Sequence, residues 1–291
     1  MTRPRGVPRS YLYVPGNAAD KLAKALGRGA DALLLDLEDA VPVAEKERAR
    51  EEAAAFLEGQ PADGPVELWV RVNPGALGRE DVRRLARIPA LTGLALAKAD
   101  AATVAEVAGQ LGDLGDDTTR LMPMVESPAA VLDAREIAAA PRVERIQVGE
   151  VDLTGEAGIT PGPDEVELLS IRTTIVLVSA AAGIAPPVGP VSRITADPVA
   201  LAESTRRLAR LGYIGRACIH PAQIPVVHEV FTPDPAEVEE ARETLRLLAE
   251  AESRGSGVAL DAQGRLIDPA VVLGARRVIA LHERAAGGAE A

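Results

Sequence analysis

Aromatic side chains are nearly missing from this chain: Phe, Trp and Tyr together make up 2% of its 291 residues. That leaves no stacking platform for the bases of a single-stranded nucleic acid. Positive charge is short as well, since 32 Lys and Arg face 43 Asp and Glu, for a net charge of -11. The balance argues against nucleic acid and against an anionic membrane surface as partners. Cys218 is the one cysteine, so no internal disulfide framework is available and the composition fits a reducing, cytoplasmic setting. No run approaches the roughly 20 apolar residues of a membrane-spanning helix. Residues 1–8 carry charge without the apolar stretch of a secretory leader. What the chain does have is 47% hydrophobic residues, enough for a large core.

Short apolar runs alternate with helical patterns along most of the length. Strands are expected at 11–14, 32–36, 68–72, 93–98, 120–125, 145–148, 187–191 and 214–219. Helices are expected at 17–28, 43–58, 80–87, 101–111, 128–139, 164–182, 198–210 and 222–230. Repeated β–α alternation predicts a parallel sheet with right-handed crossovers. Eight such units fit a closed (β/α)8 TIM barrel over residues 9–232, with an open doubly wound sheet as the alternative. Residues 233–291 read as a C-terminal helical extension: a helix at 235–252, an extended piece at 258–260, a polar turn at 261–264, and a helix at 269–284 before a frayed end at 285–291.

Chemistry in a barrel of this kind sits at the strand C-termini, where Asp36, Arg71, Lys98, Glu126 and Asp152 are all expected. Glu126 follows Leu121-Met122-Pro123-Met124-Val125, and Asp152 follows Arg145-Ile146-Gln147-Val148-Gly149. Two carboxylates converging there form an oxygen-rich site for a hard divalent cation such as Mg²⁺; the plainer reading is a pair of surface carboxylates at loop starts. Arg71, after Glu67-Leu68-Trp69-Val70, offers a planar fork suited to carboxylate or enolate oxygens, or else a salt bridge to Glu38. Glu38 reads as a partner of the site through water or Arg71, or as a helix N-terminal residue. Lys98 is one of four lysines and alone sits inside an apolar strand, which keeps a Schiff-base mechanism open beside the metal-dependent one.

Several phrases together resemble the citrate lyase beta-subunit-like family of the HpcH/HpaI aldolase superfamily. They are Arg9-Ser10-Tyr11-Leu12-Tyr13-Val14-Pro15-Gly16-Asn17, Asp36-Leu37-Glu38-Asp39-Ala40-Val41, Arg71-Val72-Asn73, Met124-Val125-Glu126-Ser127, Gly149-Glu150-Val151-Asp152 and Cys218-Ile219-His220-Pro221. The resemblance implies a TIM barrel that binds Mg²⁺ through Glu126 and Asp152 and acts beside a thioester of coenzyme A. It implies a homo-oligomer, trimer or hexamer. Gly264-Arg265-Leu266-Ile267-Asp268 resembles the C-terminal lid of malyl-CoA and citramalyl-CoA lyases, where the matching aspartate is a catalytic acid/base supplied by an adjacent subunit. Tyr13 and Lys24 match positions that contact coenzyme A in lid-bearing relatives. The chain departs from the family at Val188, where an acidic residue is common, and at Arg216, where lysine is common.

The resulting expectation is a Mg²⁺-dependent carbon–carbon lyase. It would cleave a hydroxy-carboxyacyl-CoA of the malyl-CoA or citramalyl-CoA type to an acyl-CoA and a 2-oxo acid, or run the reverse condensation. Arg71 and Asp268 would be catalytic, Glu126 and Asp152 would hold the metal, and Tyr13, Lys24, Glu38, Arg71 and Glu126 would contact substrate. Two other classes remain open: a class II aldolase on a free hydroxy-oxo acid, and a non-catalytic acyl-CoA-binding subunit.

Overall fold

A computed structural model describes residues 7–289. The reading of the leader region therefore falls outside the described residues except at Val7 and Pro8. Eight parallel strands close in sequence order into a barrel. They are β1 (Ser10–Pro15), β2 (Ala32–Asp36), β3 (Glu67–Val72), β4 (Gly93–Leu96), β5 (Arg120–Val125), β6 (Gln147–Val148), β7 (Val188–Gly189) and β8 (Gly215–Cys218). The helices between them are α1 (Ala19–Ala25), α2 (Lys46–Glu58), α3 (Gly75–Leu85), α4 (Ala101–Asp113), α5 (Pro128–Leu132), α6 (Ala134–Ala138), α7 (Glu150–Ala157), α8 (Leu169–Ala182) and α9 (Pro198–Leu211); α10 (Gln223–Phe231) follows β8.

Side chains alternate across each strand, so every second residue enters the lumen. Tyr11, Ala32, Leu34, Trp69, Ala95, Met122, Val188 and Ala217 fill it as one cluster. Two residues further along, β2 and β3 present Asp36 and Arg71 on the same side, and these two are register partners. The lumen is therefore apolar at mid-height and ionic at its C-terminal mouth. Val188, at the position where an acidic residue was expected from the family pattern, belongs to the apolar layer.

The helices start where short polar side chains can cap them. Asp100, Ser127 and Asp197 accept from the backbone N–H of Thr103, Ala130 and Ala200, and Pro128 and Pro198 occupy the first helical turns. Several local expectations shift: the helix expected at 164–182 begins at Leu169, and the one expected at 128–139 is split into α5 and α6. Helix α3 begins at Gly75 and not near residue 80. Its two glycines hide it from propensity, but Gly78 is required, since a Cβ there would lie 1.9 Å from the Asn73 carbonyl oxygen. Strand β7 is cut to two residues between Pro187 and Pro190, which cannot donate to a ladder. Helix α7 escaped the pattern because Leu153 is its one buried residue, too little for a period to show.

Residues 7–228 form one compact unit, and residues from 229 onward form another. The second contains α11 (Pro235–Ser253), an antiparallel pair of β9 (Ala259–Leu260) and β10 (Leu266–Ile267), and α12 (Pro269–Ala289). Leu248, Ile267 and Val272 form its core. Arg265 ties the hairpin to α11, with bonds to Asp261 (2.5 Å) and Glu240 (2.9 Å). The last helix runs on through Ala289, past the expected fray; residues 290 and 291 lie outside the described residues.

Candidate active site

Arg71 organises the mouth. Its Nε and Nη2 donate to the two oxygens of Asp36 at 2.7 and 2.6 Å, a bidentate fork between adjacent strands. The remaining nitrogen, Nη1, lies 3.0 Å from Glu38 Oε2 and 3.2 Å from Asp39 Oδ2. The sequence allowed a substrate fork or a bridge to Glu38; in the structure the fork faces Asp36 and the bridge exists as well. Burial disfavours the guanidinium's charge, but the bonds and charge of Asp36, with Tyr13 and Glu38 behind it, outweigh that and raise its pKa.

The acidic turn is held from both sides. Asp36 also accepts the backbone N–H of Glu38 (2.9 Å) and Ala40 (3.2 Å), which folds the chain back on itself. Lys46, buried at the start of α2, donates to the carbonyl oxygens of Leu37 (2.7 Å) and Glu38 (2.5 Å). Sequence reading missed Lys46, which looks like any cation in a Glu/Arg-rich helix. Glu38 itself is buried beside Arg71 and is not at a helix N-terminus, because α2 begins only at Lys46. Burial and the neighbouring Asp39 raise its pKa against the pull of Arg71.

Tyr13 supplies the floor under Arg71, with the guanidinium carbon 5.2 Å from its ring centre. Its hydroxyl accepts a 2.7 Å bond from Gln147 Nε2, reaching across the lumen from β6. A phenol that accepts such a bond still has its own proton to donate. Gln147 is the second residue that sequence reading passed over, although a lone amide inside the apolar run Ile146-Gln147-Val148 was a usable signal. Lys24, by contrast, is exposed on α1 and pairs with no carboxylate among the described residues.

Glu126 follows β5 directly and is 5% exposed. It accepts the backbone N–H of Lys98, a residue in the left-handed region with φ at 51°. Gly149 makes room for it, since a Cβ there would meet Glu126 Cβ at 2.4 Å and Oε2 at 2.7 Å. Asp152 lies in the first turn of α7, exposed, with its charge acting on Glu126. Burial, then the charges of Asp152 and Glu38, push the Glu126 carboxyl up to about 7. Asp36, Glu38, Asp39, Glu126 and Asp152 thus share the mouth with Arg71 and Lys98 as the nearby cations.

Among the described residues no three His, Cys, Asp or Glu side chains form a closed metal cage. Two carboxylates with open positions suit Mg²⁺, which keeps water and substrate oxygens in its shell. The donor chemistry therefore fits: hard oxygens, an excess of negative charge, and a glycine whose missing side chain leaves space at Glu126.

Other candidates fall away. Lys98 is exposed, so it is not the desolvated amine that Schiff-base chemistry needs. Burial pushes the Cys218 thiol up to about 12, which leaves it inert. His220 Nδ1 accepts the N–H of Ala222 in a turn. Arg216, at the position where lysine is common in the family, donates to the Pro190 carbonyl and the Ser204 and Thr205 hydroxyls. Asp268 belongs to the C-terminal unit, where its Oδ1 accepts the N–H of Ala270 and Val271 (both 3.0 Å) at the start of α12.

Comparison with known proteins adds to this geometry. The chain matches the family described as HpcH/HpaI aldolase/citrate lyase over residues 9–221. It is 34% identical to a (3S)-malyl-CoA thioesterase of Cereibacter sphaeroides, covering 94% of both chains. It is 33% identical to the citrate lyase subunit beta of Leuconostoc mesenteroides subsp. cremoris, over 94% of this chain and 92% of the other. Protein CitE of Mycobacterium tuberculosis, crystallised with magnesium, acetoacetate and coenzyme A, superposes with a TM-score of 0.77 at 27% identity, covering 96% of this chain and 99% of that one.

Proposed function

The chain belongs to the HpcH/HpaI aldolase/citrate lyase family, and on that premise we propose that it is a Mg²⁺-dependent carbon–carbon lyase acting on a hydroxy-carboxyacyl-CoA of the malyl-CoA or citramalyl-CoA type. The observation that carries this reading is the mouth itself: the charges of Asp152 and Glu38 act on the buried Glu126 carboxylate, and Arg71, buried and forked onto Asp36, acts on it as well.

Bound between Glu126 and Asp152, Mg²⁺ would act as a Lewis acid on the oxygens of the 2-oxo acid half of the substrate. Cleavage breaks the bond between the hydroxyl-bearing carbon and the carbon next to the thioester. The hydroxyl gives up its proton to solvent water, and its oxygen becomes the carbonyl of the 2-oxo acid. The electron pair of the broken bond passes to the thioester as an enolate, and a proton delivered to carbon completes the acyl-CoA. Arg71 would meet developing oxyanion charge with Nη1, the nitrogen that Asp36 does not use, the substrate oxygen displacing its contact with the exposed Asp39 carboxylate. Asp36 and the Tyr13 ring keep that nitrogen aimed. Asp268 is the proposed proton donor, supplied to the mouth of a neighbouring subunit, with Oδ2 taking no hydrogen bond among the described residues. Tyr13 and Lys24 are the proposed coenzyme A contacts.

A neighbour's contribution requires assembly, and the barrel has a surface suited to it. Leu132 of α5, Val151 of α7 and Leu169 and Leu177 of α8 are all exposed on helices that touch one another. This supports the proposed trimer or hexamer. Among the described residues no helix is long and apolar enough to cross a membrane.

The relative named as a thioesterase favours hydrolysis as a second reading. Ser10, His228 and Asp31 come together, but not as a hydrolytic triad. Ser10 Oγ lies 2.7 Å from His228 Nε2, and Asp31 Oδ1 lies 3.5 Å from that same nitrogen, whereas a triad holds the acid on the other one. Ser10 is also fully buried at the N-terminal end of β1. Hydrolysis would therefore need water as the direct nucleophile. The test is to incubate purified protein and MgCl₂ with malyl-CoA, citramalyl-CoA and free hydroxy-oxo acids, then read products by mass. A 2-oxo acid plus acyl-CoA supports the lyase, free coenzyme A plus hydroxy acid supports hydrolysis, and no metal-dependent product from any of them sinks both.

A further inference from the structure

Helix α7 carries Asp152 in its first turn, yet little holds that turn. The N-cap is Gly149, which has no side chain to offer, and the preceding strand pairs over two residues. Leu153 is the one buried side chain of the helix. The residue that is fixed is Glu150, at the first helical position.

Arg172 of α8 grips it. Nε donates to Glu150 Oε1 at 2.6 Å and Nη2 to Oε2 at 2.8 Å, while Nη1 donates to Glu165 Oε2 at 2.7 Å. Arg172 is 2% exposed. Glu165, with φ at 57°, is held in turn by the Ser204 hydroxyl (2.9 Å). The Tyr213 hydroxyl donates to the Arg172 carbonyl at 3.3 Å, which fixes the helix behind the guanidinium. Burying such a chain of charges is a weak route to stability, because well-packed apolar residues of similar volume often do as well or better. What a two-point ionic fork provides that apolar packing does not is a fixed direction.

We propose that Arg172 is a positioning residue of the active site: by gripping Glu150 it fixes the first turn of α7, and through that turn the Asp152 carboxylate opposite Glu126. This assignment rests on the reading of Glu126 and Asp152 as cation ligands. Groups one step behind a metal's ligands set ligand direction, and their loss costs on the order of 10-fold to 100-fold in metal affinity.

The test is calorimetric titration of MgCl₂ into metal-free full-length protein, comparing wild type with Asp152→Asn, Arg172→Lys, Glu150→Gln and the Arg172→Lys/Glu150→Gln double variant. Arg172→Lys keeps the charge and removes the fork; Glu150→Gln keeps the shape and removes the charge. Each should raise the Mg²⁺ Kd by on the order of 10-fold or more, and the double variant should be no worse than the weaker-binding single. In turnover assays, saturating Mg²⁺ should return kcat of Arg172→Lys to near wild type, because the ligand itself is intact, but should not rescue Asp152→Asn. If Arg172→Lys does not fold, Glu150→Gln, the smaller change, decides. Weakened binding in Asp152→Asn with unchanged Kd in folded Glu150→Gln and Arg172→Lys overturns this inference alone. Unchanged Kd in Asp152→Asn overturns the metal reading and this inference with it.

Discussion

The Arg71 guanidinium stacks over the Tyr13 ring at 5.2 Å while its edge grips both oxygens of Asp36. The two contacts use different parts of one planar group, the face and the fork, and together they leave a single nitrogen turned toward Glu38 and Asp39. A lysine could not do both.

Arg71→Lys should therefore behave as a severe change despite the retained charge. We expect kcat/KM to fall on the order of 10²-fold or more, comparable to removing one oxyanion donor. Steady-state kinetics with thermal unfolding alongside will separate lost catalysis from lost fold. Near-normal kinetics would leave Arg71 as a structural partner of Asp36 only.

Glu126→Ala and Asp152→Ala should each abolish measurable Mg²⁺ binding by calorimetry without unfolding the barrel. Both residues lie at the mouth and outside the apolar layer of the lumen. Full turnover by either variant in excess chelator would sink the metal assignment.

Gly149→Ala should mimic those losses without touching a polar group. The added Cβ would sit 2.4 Å from Glu126 Cβ, so the carboxylate must swing away from its place. Overpacking of this kind costs roughly 1–3 kcal/mol. We expect a modest drop in unfolding midpoint and a drop of about 10-fold or more in Mg²⁺ affinity, the scale seen when a ligand loses its orientation. An unchanged affinity would show that Glu126 has freedom at this position that the close packing denies.

Asp116 offers a pH test of the fold, remote from the mouth. It is buried, which opposes ionisation, but the Thr119 hydroxyl (2.6 Å) and the backbone N–H groups of Arg87, Thr118 and Thr119 outweigh burial and hold its pKa below the usual value. A depressed folded-state pKa means that its stabilisation is fully present above the unfolded value of about 3.9 and is lost as pH falls through the folded value. Asp116→Asn should cost about 1–3 kcal/mol at pH 7, and the gap to wild type should narrow below about pH 4. Urea denaturation at both pH values reads this directly; a gap that stays constant would mean that charge is not what Asp116 contributes.

Asp268→Asn chains mixed with Glu126→Ala chains should regain part of the activity that each lacks alone. Some mouths then receive an intact metal site from one parent and an intact acid from the other. Mass-labelled subunits would verify exchange. No recovery despite exchange would mean that Asp268 acts within its own chain or plays no part in proton transfer.

The order of the chemistry-bearing residues is legible in the sequence by itself. Alternating apolar runs place Asp36, Arg71 and Glu126 at or just past strand ends, and eight parallel β–α units put all strand ends of one polarity at one rim. That much depends on period and order, which are one-dimensional. What the tertiary structure alone decided is which of these groups face one another. Arg71 could have turned its fork to substrate, and the register of β2 on β3 gave it to Asp36. Gln147 reaches Tyr13 over 134 residues because the barrel closes, and no local pattern carries that contact. The buried cations Lys46 and Arg172 look in sequence like ordinary helix-surface residues. Their roles come from burial, which strips away water and leaves backbone carbonyls or facing carboxylates as the only partners for a charge.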